Sequence, residues 1–231
     1  MIMDQTVGII VAAGKGIRMG SDERKQYLML GKLPMLCHTV LAFNACNDID
    51  RIILVIPEGD SGICRTNILN RLLLSKPIEL VSGGKERQDS VRNGLNTIHD
   101  LDGIVVIHDG VRPFIRPDLI SESIRTAKGA GACAVGVRAQ DTLKCTDASD
   151  VVRETFDRER IWIAQTPQTF HSRIIKTAHE HALREGVLVT DDAHLVEKMG
   201  YPVKMVNGSR LNIKITTAED LELAQAIIRL R

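Results

Sequence analysis

The chain has few aromatic side chains and almost no net charge. Aromatic residues make up 3% of its 231 residues, and the formal net charge is +1. Proteins that bind nucleic acids typically carry a basic surface or aromatic side chains on which bases stack, so the composition does not favour a nucleic-acid partner. An anionic ligand must instead be held by a local cluster of cations, because the field of the whole protein is weak.

Long apolar runs and the features of a signal peptide are also missing. No apolar run approaches the roughly 20 residues that cross a bilayer, so we expect no membrane partner. The stretch MIMDQTVGIIVAAG at the N-terminus has no basic region and contains Asp4. That pattern does not predict a signal peptide.

The cysteine pattern does not suit a disulfide framework. The chain has an odd number of cysteines, and none of them stands as C-x-x-C; they are Cys37, Cys46, Cys64, Cys133 and Cys145. This usage predicts reduced thiols and therefore a cytoplasmic location.

Short apolar runs alternate with amphipathic segments. The apolar runs predict buried strands at 7–11, 52–56, 78–81, 104–108 and 133–137. The amphipathic segments predict helices at 35–46, 65–74, 90–98 and 118–128. This order predicts an α/β protein with a doubly wound, mostly parallel, Rossmann-like sheet in one domain over residues 1–231. Ligands of such sheets bind beyond the carboxyl ends of the strands, so the loops after Val11, Val81 and His108 are the candidate site.

One polar segment, AQDTLKCTDASDVVRETFDRERIWIAQTP at 139–167, interrupts this alternation. Its two short strand-like runs, 142–145 and 151–155, are joined by the turn-rich TDASD and predict a β-hairpin. An isolated hairpin is marginal in water, so this one should lie against something. It is either a surface decoration or a dimerisation arm at about 139–158, and we favour the arm and a homodimer. Further on, the sequence predicts a strand at NIKIT and then a helix capped by Thr217 with Asp220.

The loop after the first strand reads VAAGKGIRMG, residues 11–20. A Walker A loop requires a hydroxyl residue after its Gly-Lys pair, but Gly16 follows Lys15 here. The dinucleotide fingerprint G-x-G-x-x-G begins at Gly14 and fails at Met19, where the third glycine belongs. Small residues from Ala12 to Gly16 still let the backbone approach a phosphate closely.

This loop, with Arg18 and Lys25, resembles the signature of sugar-phosphate nucleotidyltransferases. Five further motifs occur in the matching order: VSGGKERQDSVRNGL at 81–95, VVIHDGVRPF at 105–114, FDRERIWIAQTPQTF at 156–170, VTDDAHLVEKMG at 189–200 and NIKITTAEDL at 212–221. The ordered set is similar to the 2-C-methyl-D-erythritol 4-phosphate cytidylyltransferase family, which uses CTP in the non-mevalonate isoprenoid pathway.

The resemblance implies that a polyol phosphate attacks the α-phosphorus of CTP and expels pyrophosphate. A phosphate monoester is largely dianionic at pH 7, because its second pKa is about 6, so the nucleophile requires no general base. The chain shows no catalytic triad, which agrees with catalysis by positioning and charge stabilisation. The resemblance assigns Arg18 and Lys25 to the charge on the α-phosphate and the leaving pyrophosphate, and Asp109 to Mg²⁺.

The resemblance also implies which residues bind each substrate. Those for CTP are Ala12, Ala13, Gly14, Gly16, Gly84, Lys85, Arg87, Ser90 and Gly110, with Lys85 acting through its main chain. Those for the acceptor are Arg112, Thr142, Arg158, Thr166, Thr190 and Lys214, of which Arg158 and Lys214 also count as catalytic. Leu211 stands where relatives often have a polar residue, and Gly110 where alanine is usual. His179 and His181 lie on different faces of a helix and form no metal-binding pair.

Three alternatives remain open at the level of sequence. A cytidylyltransferase for another acceptor, such as ribitol 5-phosphate, would share the G-x-R-M-G loop, although VAAG favours the methylerythritol family. A nucleotide-binding protein without catalytic activity would share the fold. The joint presence of five charged residues argues against it: Arg18, Lys25, Asp109, Arg158 and Lys214. A nicotinamide dehydrogenase is the weakest alternative, because the fingerprint fails.

Overall fold

The computed structural model describes residues 5–14 and 24–230. Its strands are β1 (Thr6–Val11), β2 (Met29–Leu30), β3 (Leu33–Pro34), β4 (Arg51–Ile56), β5 (Ile78–Ser82), β6 (Ile104–Asp109), β7 (Ala132–Arg138), β8 (Lys144–Thr146), β9 (Val152–Thr155), β10 (Trp162–His171) and β11 (Lys204–Asn207). Its α-helices are α1 (Met35–Ala45), α2 (Ser61–Asn67), α3 (Arg87–Asn96), α4 (Pro117–Ala130), α5 (Ser172–Glu185), α6 (Asp192–Lys198) and α7 (Ala218–Arg229). Short 3-10 turns occur at Lys25–Tyr27, Leu69–Arg71 and Arg158–Arg160.

Seven strands form one sheet in the order β11-β7-β10-β6-β1-β4-β5. β10 pairs antiparallel with β6 and β7, and the other neighbouring strands are parallel. Val11 pairs with Asp109 of β6 and with Val55 of β4, so the carboxyl ends of three central strands lie side by side. The doubly wound, mostly parallel α/β sheet that the sequence predicts is confirmed.

Helices cover both faces of the sheet. Ile9 of β1 packs in the cluster that includes Val91 of α3 and side chains of α5 and α6. Its neighbour Ile10 packs in the opposite cluster, with Leu36 of α1 and side chains of α2 and α4. Successive residues of a strand point to opposite faces, and burial on both faces explains why this strand is apolar throughout.

The helix predicted at 65–74 is wrong in its bounds. α2 ends at Asn67, and after the 3-10 turn the chain is extended from Leu72. Leu72 and Leu74 pack against the core while Leu73 is 97% exposed. The leucines that suggest a helix therefore follow the two-residue period of an extended segment.

Sequence reasoning missed β10 and β11, which extend the sheet beyond β6. β10 contains Pro167, and a proline in a central run argues against a strand because it cannot donate to the ladder. The pairing of β10 with β7 shifts register between Ala164 and Gln168, so the proline lies where the ladder is interrupted.

The strand predicted at NIKIT is also wrong. In this segment the N–H of Ile215 donates to the carbonyl of Val111 at 2.9 Å, but no ladder forms among the described residues. The segment crosses the strand ends with Ile215 fully buried. The predicted helix start is confirmed, because Thr217 and Asp220 form a capping box at the start of α7.

The polar hairpin is confirmed as β8 and β9. The two strands pair antiparallel, with Lys144 opposite Thr155. Every residue of both strands is exposed in the single chain. The single-domain assignment and the role of this arm in a dimer stay predictions.

All five cysteines are free thiols, and only Cys145 is exposed. Across residues 5–14 and 24–230, no helix combines the length and apolar character that a bilayer span requires. The cytoplasmic location stays a prediction.

Candidate functional site

Two adjoining clefts open at the carboxyl ends of β1 and β6. The strand-end cleft is lined by residues 11–14, Lys25, Gln26, residues 84–87, Ser90, Asp109, Val111 and Lys214. The β10-side cleft is lined by Arg87, Asp109, Arg112, residues 164–166, Gln168, Thr190, Asp191 and Lys214. Arg87, Asp109 and Lys214 line both clefts and therefore form the wall between them.

The backbone that follows β1 is held by a buried glutamine. Nε2 of Gln26 donates to the carbonyl of Ala12 at 2.8 Å and to that of Gly14 at 3.3 Å. These bonds occupy two carbonyl oxygens that would otherwise repel a phosphate. On the other side, a Cβ on Gly110 would lie 2.9 Å from the Cβ of Ala12, so glycine at this position permits the close approach of β6 to the loop.

The loop between β5 and α3 forms the opposite wall of the strand-end cleft. A Cβ on Gly83 would lie 2.2 Å from the Cβ of Ala13, so only glycine fits there without a backbone shift. The N–H of Gly84 donates to Oγ of Ser90 at 3.1 Å, and that hydroxyl donates to the carbonyl of Glu86 at 3.0 Å. Ser90 therefore ties the loop to the first turn of α3, whose start is closed by a capping box between Glu86 and Asp89.

Asp109 is surrounded by three cations. Nε of Arg87 lies 2.9 Å from its Oδ1, while Nζ of Lys214 at 3.0 Å and Nε of Arg112 at 3.5 Å face its Oδ2. Burial by itself would raise the pKa of Asp109, but the charges of Arg87, Lys214 and Arg112 outweigh it and hold the pKa well below its usual range. The carboxylate is therefore ionised throughout the physiological range.

A chain of hydrogen bonds runs behind the β10-side cleft. The N–H of Asp109 donates to Oγ1 of Thr166 at 3.1 Å, and this oxygen lies 2.9 Å from Nδ1 of His108. Burial lowers the pKa of His108 to about 4, so the ring is neutral at pH 7. The hydroxyl of Thr166 then donates to Nδ1, and Nε2–H of His108 donates to the carbonyl of Arg112 at 3.2 Å.

The predicted site residues fall into three groups. Those that the clefts bring together are Ala12, Ala13, Gly14, Lys25, Gly84, Lys85, Arg87, Ser90, Asp109, Arg112, Thr166, Thr190 and Lys214, with Gly110 directly behind Ala12. Thr142 and Arg158 lie on or beside the arm, are exposed and line neither cleft of their own chain. Gly16 and Arg18 lie outside the described residues.

Within the part of the chain that the structure describes, no group of three or more His, Cys, Asp or Glu side chains could hold a metal ion. Mg²⁺ does not require such a group, since it commonly binds one or two carboxylates together with substrate phosphates and water. The ionised carboxylate of Asp109, at the wall between the clefts, fits that mode.

Sequence reasoning gave no role to several residues that build this site. Gln26, His108, Gln168 and Asp192 are all buried and hydrogen-bonded around it. The last three stand inside motifs that carry the family resemblance, and Gln26 follows Lys25 directly. Their position in those motifs is the signal that could have identified them.

Comparisons with known proteins point to one family. The family described as "IspD: 2-C-methyl-D-erythritol 4-phosphate cytidylyltransferase" matches residues 6–230. A protein of that name from Syntrophus aciditrophicus is 47% identical over 225 residues, covering 97% of this chain and 96% of the relative. Another, from Pelotomaculum thermopropionicum, is 43% identical over 229 residues, covering 99% and 96%.

Solved structures give the same result. The crystal structure of 4-diphosphocytidyl-2C-methyl-D-erythritol synthase from Anaerococcus prevotii superposes with a TM-score of 0.87 at 33% identity, covering 98% of this chain and 96% of that one. The 2-C-methyl-D-erythritol 4-phosphate cytidylyltransferase of Thermus thermophilus superposes with a TM-score of 0.79 at 30% identity, covering 98% and 100%. Because the sequence and the fold match over nearly the whole chain, the chain belongs to the 2-C-methyl-D-erythritol 4-phosphate cytidylyltransferase family.

Proposed function

We propose that the chain transfers CMP from CTP to 2-C-methyl-D-erythritol 4-phosphate in the synthesis of isoprenoid precursors. An oxygen of the acceptor phosphate forms a bond to the α-phosphorus of CTP. The bond from that phosphorus to the β-phosphate oxygen breaks, and pyrophosphate leaves. The products are 4-diphosphocytidyl-2-C-methyl-D-erythritol and pyrophosphate.

The observation that carries this proposal is the wall shared by the two clefts. CTP occupies the strand-end cleft, with its phosphates along the loop after β1, and the acceptor phosphate occupies the β10-side cleft. Arg87, Asp109 and Lys214 line both spaces, so substrates bound there meet at this wall. Binding two reactants in adjacent clefts supplies much of the entropy that a bimolecular reaction would otherwise lose.

Cations that line the two clefts stabilise the charge that develops during transfer. Lys25 lines the strand-end cleft, and Lys214 with Arg112 reaches the β10-side cleft. The attacking phosphate is already ionised, so none of these groups has to remove a proton. Fixed cations in a partly enclosed site stabilise a more highly charged transition state better than mobile water does.

Magnesium is the proposed cofactor, and Asp109 is the residue that would hold it. When bound, the ion neutralises phosphate charge and polarises the α-phosphate. Because Arg87, Lys214 and Arg112 already neutralise this carboxylate, the ion would bind together with the negatively charged triphosphate rather than alone.

A homodimer is the proposed assembly. Every residue of β8 and β9 is exposed, and the apolar side chains of Val151 and Val152 are 53% and 52% exposed. Apolar side chains on a marginal hairpin favour a covering surface. In the proposed dimer each arm supplies Thr142 and Arg158 to the β10-side cleft of the other subunit.

Pyrophosphate release measured over a matrix of four nucleoside triphosphates and two acceptors tests the reaction. We expect release with CTP and 2-C-methyl-D-erythritol 4-phosphate to exceed release with ribitol 5-phosphate or with any other nucleotide. Preferential release with ribitol 5-phosphate would identify a different cytidylyltransferase. CTP binding in calorimetry without release for either acceptor would leave only a nucleotide-binding protein.

A further inference from the structure

We propose that Arg87 is a positioning residue, which orients the Asp109 carboxylate and is itself held by Asp192 from behind. The sequence places Arg87 in the motif that lines the nucleotide cleft. Its guanidinium instead bridges two buried carboxylates. This inference rests on the proposed transfer reaction and concerns how its central carboxylate is held.

The contacts of Arg87 have the geometry of a fixed fork. Nε donates to Oδ1 of Asp109 at 2.9 Å, and Nη1 donates to Oδ2 of Asp192 at 2.7 Å. Both carboxylates are at least nine-tenths buried. Since the guanidinium is planar and its donors are rigidly spaced, two such bonds fix both its plane and its position.

Asp192 is anchored by a glutamine of β10. Oε1 of Gln168, in TPQTF on β10, accepts from the N–H groups of Asp192 and Ala193 at 3.0 and 2.9 Å. Nε2 of the same glutamine donates to Oδ2 of Asp191 at 2.8 Å. Gln168 therefore fixes the start of α6, which lies within the VTDDAHLVEKMG motif. In this position the carboxylate of Asp192 reaches Arg87.

A histidine completes the support. Nε2 of His179, on α5, lies 3.1 Å from Oδ1 of Asp192, which leaves Oδ2 for Arg87. Burial would raise the pKa of Asp192, but Arg87 and His179 hold it below its usual value. Asp192 lines neither cleft. Its carboxylate bonds Arg87 and His179, and of these two only Arg87 lines the clefts, so we expect the charge of Asp192 to act on the reaction through Arg87.

The bond from Arg87 selects one orientation of the Asp109 carboxylate. Lys214 and Arg112 both face Oδ2, and Arg87 faces Oδ1. Without the fork, the carboxylate would be drawn by the two cations on one side only. The charges between the clefts would remain, but the Asp109 carboxylate would be misplaced. A misplaced catalytic group slows turnover without weakening the binding of CTP.

The variant that tests geometry rather than charge is Arg87→Lys, because an ammonium keeps the charge but lacks the planar fork. Its matched control is Arg92→Lys on the same helix. Nη2 of Arg92 lies 2.7 Å from Oδ1 of Asp89, and neither residue lines the clefts. For Arg87→Lys we expect kcat to fall at least about tenfold, with the Kd for CTP in calorimetry changed less than about threefold. The control should keep both values within about twofold of wild type, since a partly exposed pair contributes little.

Asp192→Asn is the second variant and covers the case in which Arg87→Lys does not fold. It keeps the side-chain shape outside the clefts and should lower kcat with an unchanged Kd for CTP. In the double variant, Arg87→Lys with Asp192→Asn, kcat should fall no further than in the worse single variant, because the two residues act as one unit.

Three results would overturn the proposal. The first is unchanged turnover in Arg87→Lys and Asp192→Asn, and the second is fully additive losses in the double variant. The third is a Kd for CTP raised at least about tenfold in Arg87→Lys, because Arg87 would then be a nucleotide contact. Failure of the wild-type chain itself to release pyrophosphate would instead refute the proposed reaction, so the two failures are distinguishable.

Discussion

Nζ of Lys214 lies 3.0 Å from Oδ2 of Asp109, which joins the segment before α7 to the end of β6. The two residues are 105 positions apart and meet because residues 212–216 cross the strand ends. The side chain of Lys214 is partly exposed, whereas that of Asp109 is buried. Lys214 can therefore contact substrate, while Asp109 is held at the end of β6.

Replacing Lys25 with alanine should lower kcat about a hundredfold to a thousandfold while leaving the KM for CTP nearly unchanged. Its charge counts most as the transition state forms, and such a contact is typically worth about 3–4 kcal/mol of barrier. Steady-state pyrophosphate release checks this. Lys32→Ala, at an exposed lysine in the turn between β2 and β3, is the control and should match wild type. A Lys25→Ala variant that keeps a tenth or more of wild-type turnover would remove Lys25 from this role.

Asp109→Asn should fold but lose stability and require more Mg²⁺. Removing one partner of a buried ion-pair cluster typically costs about 3–5 kcal/mol, because the remaining charges lose their counter-ion. Urea unfolding measures that loss. In the activity assay the Mg²⁺ concentration for half-maximal turnover should rise at least about tenfold, since an amide is a poorer ligand than a carboxylate. Wild-type turnover that persists in EDTA would contradict the proposed cofactor.

Coexpression of two inactive chains tests whether the arms cross. One chain carries Lys25→Ala and the other Arg158→Ala. If each arm serves the partner, a mixed dimer contains one site with both lesions and one intact site. Random pairing makes about half of the dimers mixed and restores about a quarter of the wild-type sites. Purified mixed dimers without activity would show that each arm serves its own subunit.

Stability should fall as the pH drops from about 6.5 to about 4, because of His108. Its pKa is lowered by burial to about 4, whereas an unfolded histidine titrates near 6.5. In this window the unfolded chain binds the extra proton, so the stabilisation is complete above pH 6.5 and is lost on acidification. The loss amounts to about 3 kcal/mol in total. The carboxylates with lowered pKa values, Asp109 and Asp192, act in a separate window below about pH 4.

Urea unfolding at pH 7, 6, 5 and 4 measures this dependence. His108→Gln should be less stable at pH 7 but should show a flatter slope, since the buried imidazole is gone. His99→Gln, at an exposed histidine, is the control and should keep the wild-type slope. Equal slopes in His108→Gln and wild type would contradict this origin of the pH dependence.

The sequence by itself determined the central strands and the turn that begins the loop between β5 and α3. The run at 7–11 is apolar because both faces of β1 are buried, and local composition records such burial directly. Gly84, where a Cβ would lie 2.3 Å from the Cβ of Asp89, and the capping box at Thr217 are local requirements, so the sequence alone indicates them. The resemblance assigns Lys25, Asp109 and Lys214 to one site, and in the structure all three line the strand-end cleft.

Only the tertiary structure decided which of these residues touch. The bridge from Arg87 to Asp109 and Asp192 spans 22 and 105 positions, and nothing local in the chain indicates it. The proline in β10 and the unpaired NIKIT segment misled pattern reasoning because a register shift and a strand-end crossing depend on distant neighbours. Hydrogen bonds and ion pairs between distant residues form only once the sheet brings the strand ends together, so the charge arrangement of the site is a property of the fold.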